Sequence, residues 1–157
     1  MNRATEQLIE RFYRAFQQRD AATMAACYHR RAVFRDPVFE LNGANIGAMW
    51  TMLCGRAPDL RIEFDGVHAE GDHGRAEWQA WYTFGQTGRP VHNRIRAEFA
   101  FADGLIVDHV DRFDFWRWSR QALGLPGLLL GWTPALQAKV RAQAQGRLEQ
   151  FLATHSG

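Results

Sequence analysis

The sequence predicts an α+β domain, with helices laid over one face of a curved antiparallel sheet. Three observations predict it. Apolar residues recur at helical spacing through the first third of the chain. From Leu60 onward the apolar period falls to two, the period of a strand. The two-period stretches are joined by short glycine-bearing turns, so they pair with their neighbours as a meander.

Leu8, Ile9, Phe12, Ala15 and Phe16 share one face and predict an amphipathic helix over residues 4–18. Asp20 suits the N-cap of a second short helix that reaches about Tyr28. Val33-Phe34-Arg35-Asp36 reads as a brief strand, ended by Pro37, which has no N–H for a ladder. Past the Asn42-Gly43 turn, Ile46, Met49, Trp50 and Leu53 predict a third helix, stopped by residues 55–58. The meander follows. Its strands run from Leu60 to Glu70, over residues 75–84, from Val91 to Phe101, and over residues 104–113. Residues 71–74 and 86–89 make turns, and Asp103-Gly104 is a strong hairpin signal. On the third strand His92, Arg94, Arg96 and Glu98 alternate with Val91, Ile95, Ala97 and Phe99, so one face meets water.

After Asp114 the character changes. Phe115, Trp116, Trp118, Leu123 and Leu125 lead into a leucine run broken by glycine and proline, then a last helix over about residues 134–152. We read residues 1–114 as the body and 115–157 as an extension packed on the same domain. The extension could form a lid, a dimer surface, a membrane-surface patch, or a helix packed on the body, and sequence leaves all four open.

With 157 residues, 46% of them hydrophobic and 13% aromatic, the chain supports one core and is not disordered. Cys27 and Cys54 give neither a disulfide framework nor metal-ligand spacing, as expected of a reducing, cytoplasmic setting. The first residues are an amphipathic helix pattern and not a secretion signal. The run from Leu123 to Trp132 is too short to span a bilayer, so no integral membrane association is expected. Net charge is +2, divided as 14 Lys+Arg against 16 Asp+Glu in residues 1–114 and 5 against 1 in residues 115–157. That footprint is too sparse for nucleic-acid binding.

The functional signal sits on the last strand. Alternation sends His109, Asp111 and Phe113 to the face that also carries the apolar residues. A histidine and a carboxylate are costly to bury without partners, and a chain tolerates them where a pocket uses them. His109 titrates in the useful range and can donate to an oxyanion; it can equally be a hydrogen-bonded structural histidine. Asp111 can act as acid/base, orient His109, or pair with an arginine. Asp36 can abstract a proton if desolvation raises its pKa, or simply cap a turn before Pro37. Tyr82 shares a face with Trp78, Ala80 and Phe84 and offers a phenol donor; Asn93, on the same parity, can hold a carbonyl. Phe12, Phe34, Trp50, Trp78 and Phe99 read as core, some of them lining a pocket for a flat, apolar ligand. His68, His73, His92 and His155 read as solvated, with no metal site.

Three segments carry a family resemblance: residues 8–13 on the first helix, Tyr28 through Arg35-Asp36-Pro37-Val38, and residues 103–111. In their order and spacing, over residues 4–114, the chain resembles the nuclear-transport-factor-2-like superfamily, in its SnoaL-like and ketosteroid-isomerase-related branch. The resemblance implies a cone-like sheet wrapped over helices around an apolar cavity, and commonly a homodimer. It aligns Asp36 with the general base of ketosteroid isomerases, which pair such a base with a tyrosine and a protonated aspartate. Here those two positions align with Phe12 and Ala97, and Tyr13 sits about 100° further round the helix. Dienolate chemistry by that route is therefore not expected. The Arg-x-Asp of limonene-epoxide-hydrolase-like members falls near Ile95 and Ala97, against that chemistry too. SnoaL-like cyclases, with an acid/base aspartate on the last strands, are more similar in this region.

Together these readings imply a cofactor-independent acid/base enzyme acting on a small hydrophobic carbonyl compound by isomerisation, cyclisation or dehydration. Catalysis would rest on Asp36, His109 and Asp111. The alternative is a non-catalytic ligand-binding or interaction protein using the same cavity and the aromatic tail.

Overall fold

The computed structural model describes residues 2–155, in six helices and six strands. Helix α1 (Arg3–Gln17) starts at Asn2, whose side chain accepts from the Thr5 N–H, and α2 (Ala21–Ala26) is capped by Asp20 as expected. Strand β1 (Tyr28–Arg35) begins at Tyr28, where helix was expected. The reason is tertiary: Cys27 O accepts from Ile106 N, and Tyr28 pairs with Ile106 some eighty positions later. A register shift between Tyr28 and Val33 then bulges the strand.

A short edge strand β2 (Glu40–Asn42), not anticipated, pairs antiparallel with β1. Helix α3 (Ala44–Arg56) buries Ile46, Met49, Trp50, Met52 and Cys54, while Leu53, expected inside, stands at the surface. The meander is β3 (Arg61–Glu70), β4 (His73–Phe84), β5 (Arg89–Ala102) and β6 (Leu105–Arg112). Its turn at Asp103-Gly104 has positive φ at both residues, the two-residue hairpin that the dipeptide predicts. Gly74 lies in β4, not in the preceding turn, because α1 crosses there: a Cβ would come within 2.8 Å of Ile9 Cδ1.

The six strands form one sheet in the order β2-β1-β6-β5-β4-β3, antiparallel throughout except for β1 against β6. Gly66, at positive φ, accompanies a register shift that bends β3. Ile9, Phe12, Tyr13 and Phe16 of α1 lie in the same core as Trp78, Ile95, Phe99 and Ile106 of the sheet. Beyond β6, Phe115, Trp118 and Ala122 of α4 (Phe115–Leu123) pack with Val91 of β5. A short α5 (Leu125–Leu130) follows, and α6 (Pro134–His155) returns Leu148 to the main core. The side chain of His155 lies outside the described part. Among the described residues no helix is long and apolar enough to cross a membrane.

Candidate active site

Parallel pairing of β1 with β6 builds the site. Phe34 sits opposite His109 and Arg35 opposite Val110, so the next residue, Asp36, emerges beside Asp111. On the other flank Phe99 of β5 faces His109. The inward row of β6 therefore runs His109 and Asp111, as alternation predicts, and Phe113, just past the strand, packs half-buried against the core.

His109 is buried within rings, with Phe99 at 4.4 Å, Phe34 at 4.9 Å and Phe12 at 5.8 Å between centroids. Both its nitrogens are used. Nδ1 is 2.7 Å from the Tyr28 hydroxyl and Nε2 is 2.8 Å from Asp111 Oδ1. Tyr28 Oη also accepts from Trp50 Nε1 at 3.0 Å, and Asp111 Oδ1 accepts from Trp78 Nε1 at 3.3 Å. One proton assignment satisfies every group. The indoles can only donate, so the Tyr28 proton goes to Nδ1, and Nε2 carries the proton offered to the carboxylate. This Trp50–Tyr28–His109–Asp111–Trp78 chain spans the interior.

Asp36 ends β1 in a tight turn closed by its own N–H to Phe39 O. Its Oδ1 accepts from Val38 N at 2.7 Å and Phe39 N at 2.6 Å, while Oδ2 has no hydrogen-bond partner among the described residues. The side chain is half-buried. Burial raises its pKa to about 7; the two turn N–H groups oppose that, and the charge on Asp111 adds to it. Asp36 thus both shapes the turn and is poised near neutrality. It lines a hollow of about 370 Å³ together with Arg35, Pro37, Val110, Asp111, Arg112 and Phe113.

Two more hydroxyls face this region. Tyr82 Oη accepts from Trp118 Nε1 at 2.7 Å, leaving its proton without an acceptor among the described residues. Its pKa is raised by burial, with the nearby Asp36 charge contributing. Tyr13 Oη is buried with no partner among the described residues, and burial, then the Asp111 charge, pushes its pKa well up.

Of the residues expected to line a pocket, Phe12, Phe34, Trp50 and Phe99 pack around His109 and border neither hollow described here. Phe113 borders both. Trp78 and Asn93 border a second, larger hollow of about 760 Å³ across the sheet, among Glu63, Glu77, Arg94 and Arg96. Open volume near the carboxylates therefore lies at the Asp36 end, and the space around His109 is filled by rings. His92, expected in water, is half-buried on the outer face, 2.7 Å from Gln79 Oε1 and stacked on Trp81. Sequence reasoning missed Tyr28 and Tyr13. Tyr28 shares parity with Ala32, Phe34 and Asp36, a signal hidden by placing it in a helix.

A strongly bent, unclosed sheet over N-terminal helices, with ionisable groups on its inner face, is the nuclear-transport-factor-2-like fold. The family model for the SnoaL-like domain matches residues 9–109, and the chain belongs to that family. The match includes Asp36 and His109 and ends just before Asp111. Among solved structures, TsrD from Streptomyces laurentii is 25% identical with a TM-score of 0.68, over 80% of this chain and 99% of that one. An LEH-like epoxide hydrolase of M. tuberculosis is 22% identical with a TM-score of 0.63, over 81% and 96%. IdmH, a candidate polyketide cyclase from Streptomyces antibioticus, is 21% identical with a TM-score of 0.64, over 77% and 99%. No curated protein matches the chain in sequence.

Proposed function

We propose that this SnoaL-like protein is a cofactor-independent acid/base enzyme that moves a proton on a small hydrophobic carbonyl compound. The observation that carries the reading is Asp36, with a pKa of about 7, which lines a hollow shared with Asp111 and keeps one carboxylate oxygen without a hydrogen-bond partner among the described residues. A base titrating near the working pH balances availability against strength. Asp36 takes a proton from a carbon next to the carbonyl, and the released electron pair moves onto the carbonyl oxygen as an enolate. The Tyr82 hydroxyl, its proton without an acceptor among the described residues, donates to that oxygen. Return of the proton to a different carbon completes an isomerisation; attack of the enolate carbon on a second carbonyl completes a cyclisation. Asp111, anchored by His109 and Trp78, holds the charge that tunes Asp36. Pro37, Val110 and Phe113 give the hollow apolar walls, and Arg35 and Arg112 line it as well. A cytoplasmic homodimer fits the reading, with Cys27 and Cys54 free and buried and both carboxylates and arginines lining the larger hollow.

One observation favours a second reading, binding without turnover: Phe12, Phe34, Trp50 and Phe99 fill the interior, leaving the ligand only the mouth. Exchange of the α-protons of 2-tetralone in D2O, followed by NMR, separates the two. The native protein is expected to speed exchange, and Asp36→Asn to lose roughly a hundredfold or more of that speed while staying folded. Equal rates for native and variant protein sink the catalytic reading.

A further inference from the structure

Helix α5 is built inside out. Gly127 and Gly131 are the residues it turns inward: a Cβ on either would lie 2.0 Å from an oxygen of Ser119. The helix therefore lies on α4 through bare backbone. Leu125, Leu128, Leu129, Leu130 and Trp132 all point outward, between 45% and 69% exposed. A helix packed for stability alone would bury its leucines and expose its glycines.

The C-terminal carbonyls of this tip are also paired. The last carbonyls of a helix normally turn to water. Here Leu128 O accepts from Trp116 Nε1 at 3.0 Å, Leu129 O from Trp132 Nε1 at 3.1 Å, and Leu130 O from Thr133 Oγ1 at 2.6 Å. Internal pairing of this kind is what hydrocarbon demands of any segment that enters it.

Charge points the same way. Residues 121–138 carry no ionisable side chain, and Arg120 and Lys139, both exposed, flank them. From residue 115 to 148 there are five cations and no carboxylate. A second copy of the chain on this face would set cations against cations, and a six-residue tip is small beside the roughly 800 Å² per partner of a stable protein interface. An anionic lipid surface meets both features: leucines and an indole enter the acyl boundary while arginine and lysine stay at the headgroups.

We propose that α5 and Trp132 dock the protein peripherally on anionic membranes. Co-sedimentation with vesicles of phosphatidylcholine mixed with phosphatidylglycerol tests it, alongside vesicles of phosphatidylcholine alone. Binding is expected to the anionic vesicles, weakening steadily as NaCl is added. The double variant Leu129→Glu/Leu130→Glu, at exposed positions that leave the fold intact by circular dichroism, is expected to bind roughly tenfold more weakly or worse. Lys139→Gln should weaken binding less, and the native protein's tryptophan emission should shift to the blue on binding, a shift that Trp132→Phe should lose. The proposal is overturned if the folded native protein fails to bind anionic vesicles, binds neutral ones as well, or keeps its affinity in the double variant. It is equally overturned if the leucine substitutions instead dissolve a dimer that has no vesicle affinity, which would assign the face to a second copy.

Discussion

The Tyr28 hydroxyl lies 2.7 Å from His109 Nδ1 and accepts a hydrogen bond from Trp50 Nε1 at 3.0 Å, so one phenol orients two buried rings. It thereby fixes which nitrogen of His109 faces Asp111. Tyr28→Phe keeps the ring packing but leaves an indole N–H and an imidazole nitrogen unpaired in the core. The expected cost is about 1–3 kcal/mol, read as a lower urea midpoint at unchanged slope. A variant as stable as the native protein would mean that water replaces the hydroxyl.

Asp36 makes stability depend on pH in the direction opposite to a salt-bridged aspartate. Its folded pKa, about 7, lies above the ordinary aspartate value of 3.8, so the folded state holds a proton that the unfolded state has released. The native protein therefore loses stability as pH rises from about 4 to about 7. Asp36→Asn keeps an Oδ1 acceptor for the turn and removes the titration. The variant is expected to gain on the native protein across that window, by something on the order of 3 kcal/mol at pH 8. Urea midpoints measured at both ends of the window check it; a constant difference contradicts the buried-acid account.

Two helical glycines should respond in opposite senses to the same substitution. Gly146, in α6, has nothing within 4 Å of an added Cβ, and Ala is there the better helix former. Gly146→Ala is expected to add about 0.5–1 kcal/mol. Gly127→Ala drives a methyl into the Ser119 carbonyl and prises α5 from α4. A loss of about 1–3 kcal/mol, with faster proteolysis between residues 120 and 133, is the expected result.

What sequence made legible was local. Asp103-Gly104 announces its hairpin because two adjacent residues can take positive φ, and β5 announces its faces because burial alternates residue by residue. The inward row of His109 and Asp111 follows from the same alternation. What stayed hidden depends on distant partners. Tyr28 is strand only because β6 pairs with it, so its place beside His109 had no local sign. The leucine run of α5 leaves its direction open by composition, and the contact of Gly127 with Ser119 is what turns it outward. His92 occupies the outer face, as alternation has it, but Trp81 and Gln79 cover it there.

The two carboxylates make a kinetic prediction that neither makes alone. If Asp36 acts as an ionised base, kcat/KM for proton abstraction rises with pH and levels above about 7, the pKa of that group. The Asp111 charge is one of the causes holding that pKa up. Asp111→Asn removes the charge while keeping an acceptor for Trp78 and for His109 Nε2, so the rising limb should move to lower pH. Tyr82→Phe should act differently, lowering the plateau by about tenfold or more without moving the limb to higher pH. The Asp36 charge helps raise the Tyr82 pKa, so the two groups lie near each other, but the phenol acts on the oxygen and not on the base. A limb that stays in place in Asp111→Asn would separate the two carboxylates functionally and leave Asp36 tuned by burial alone.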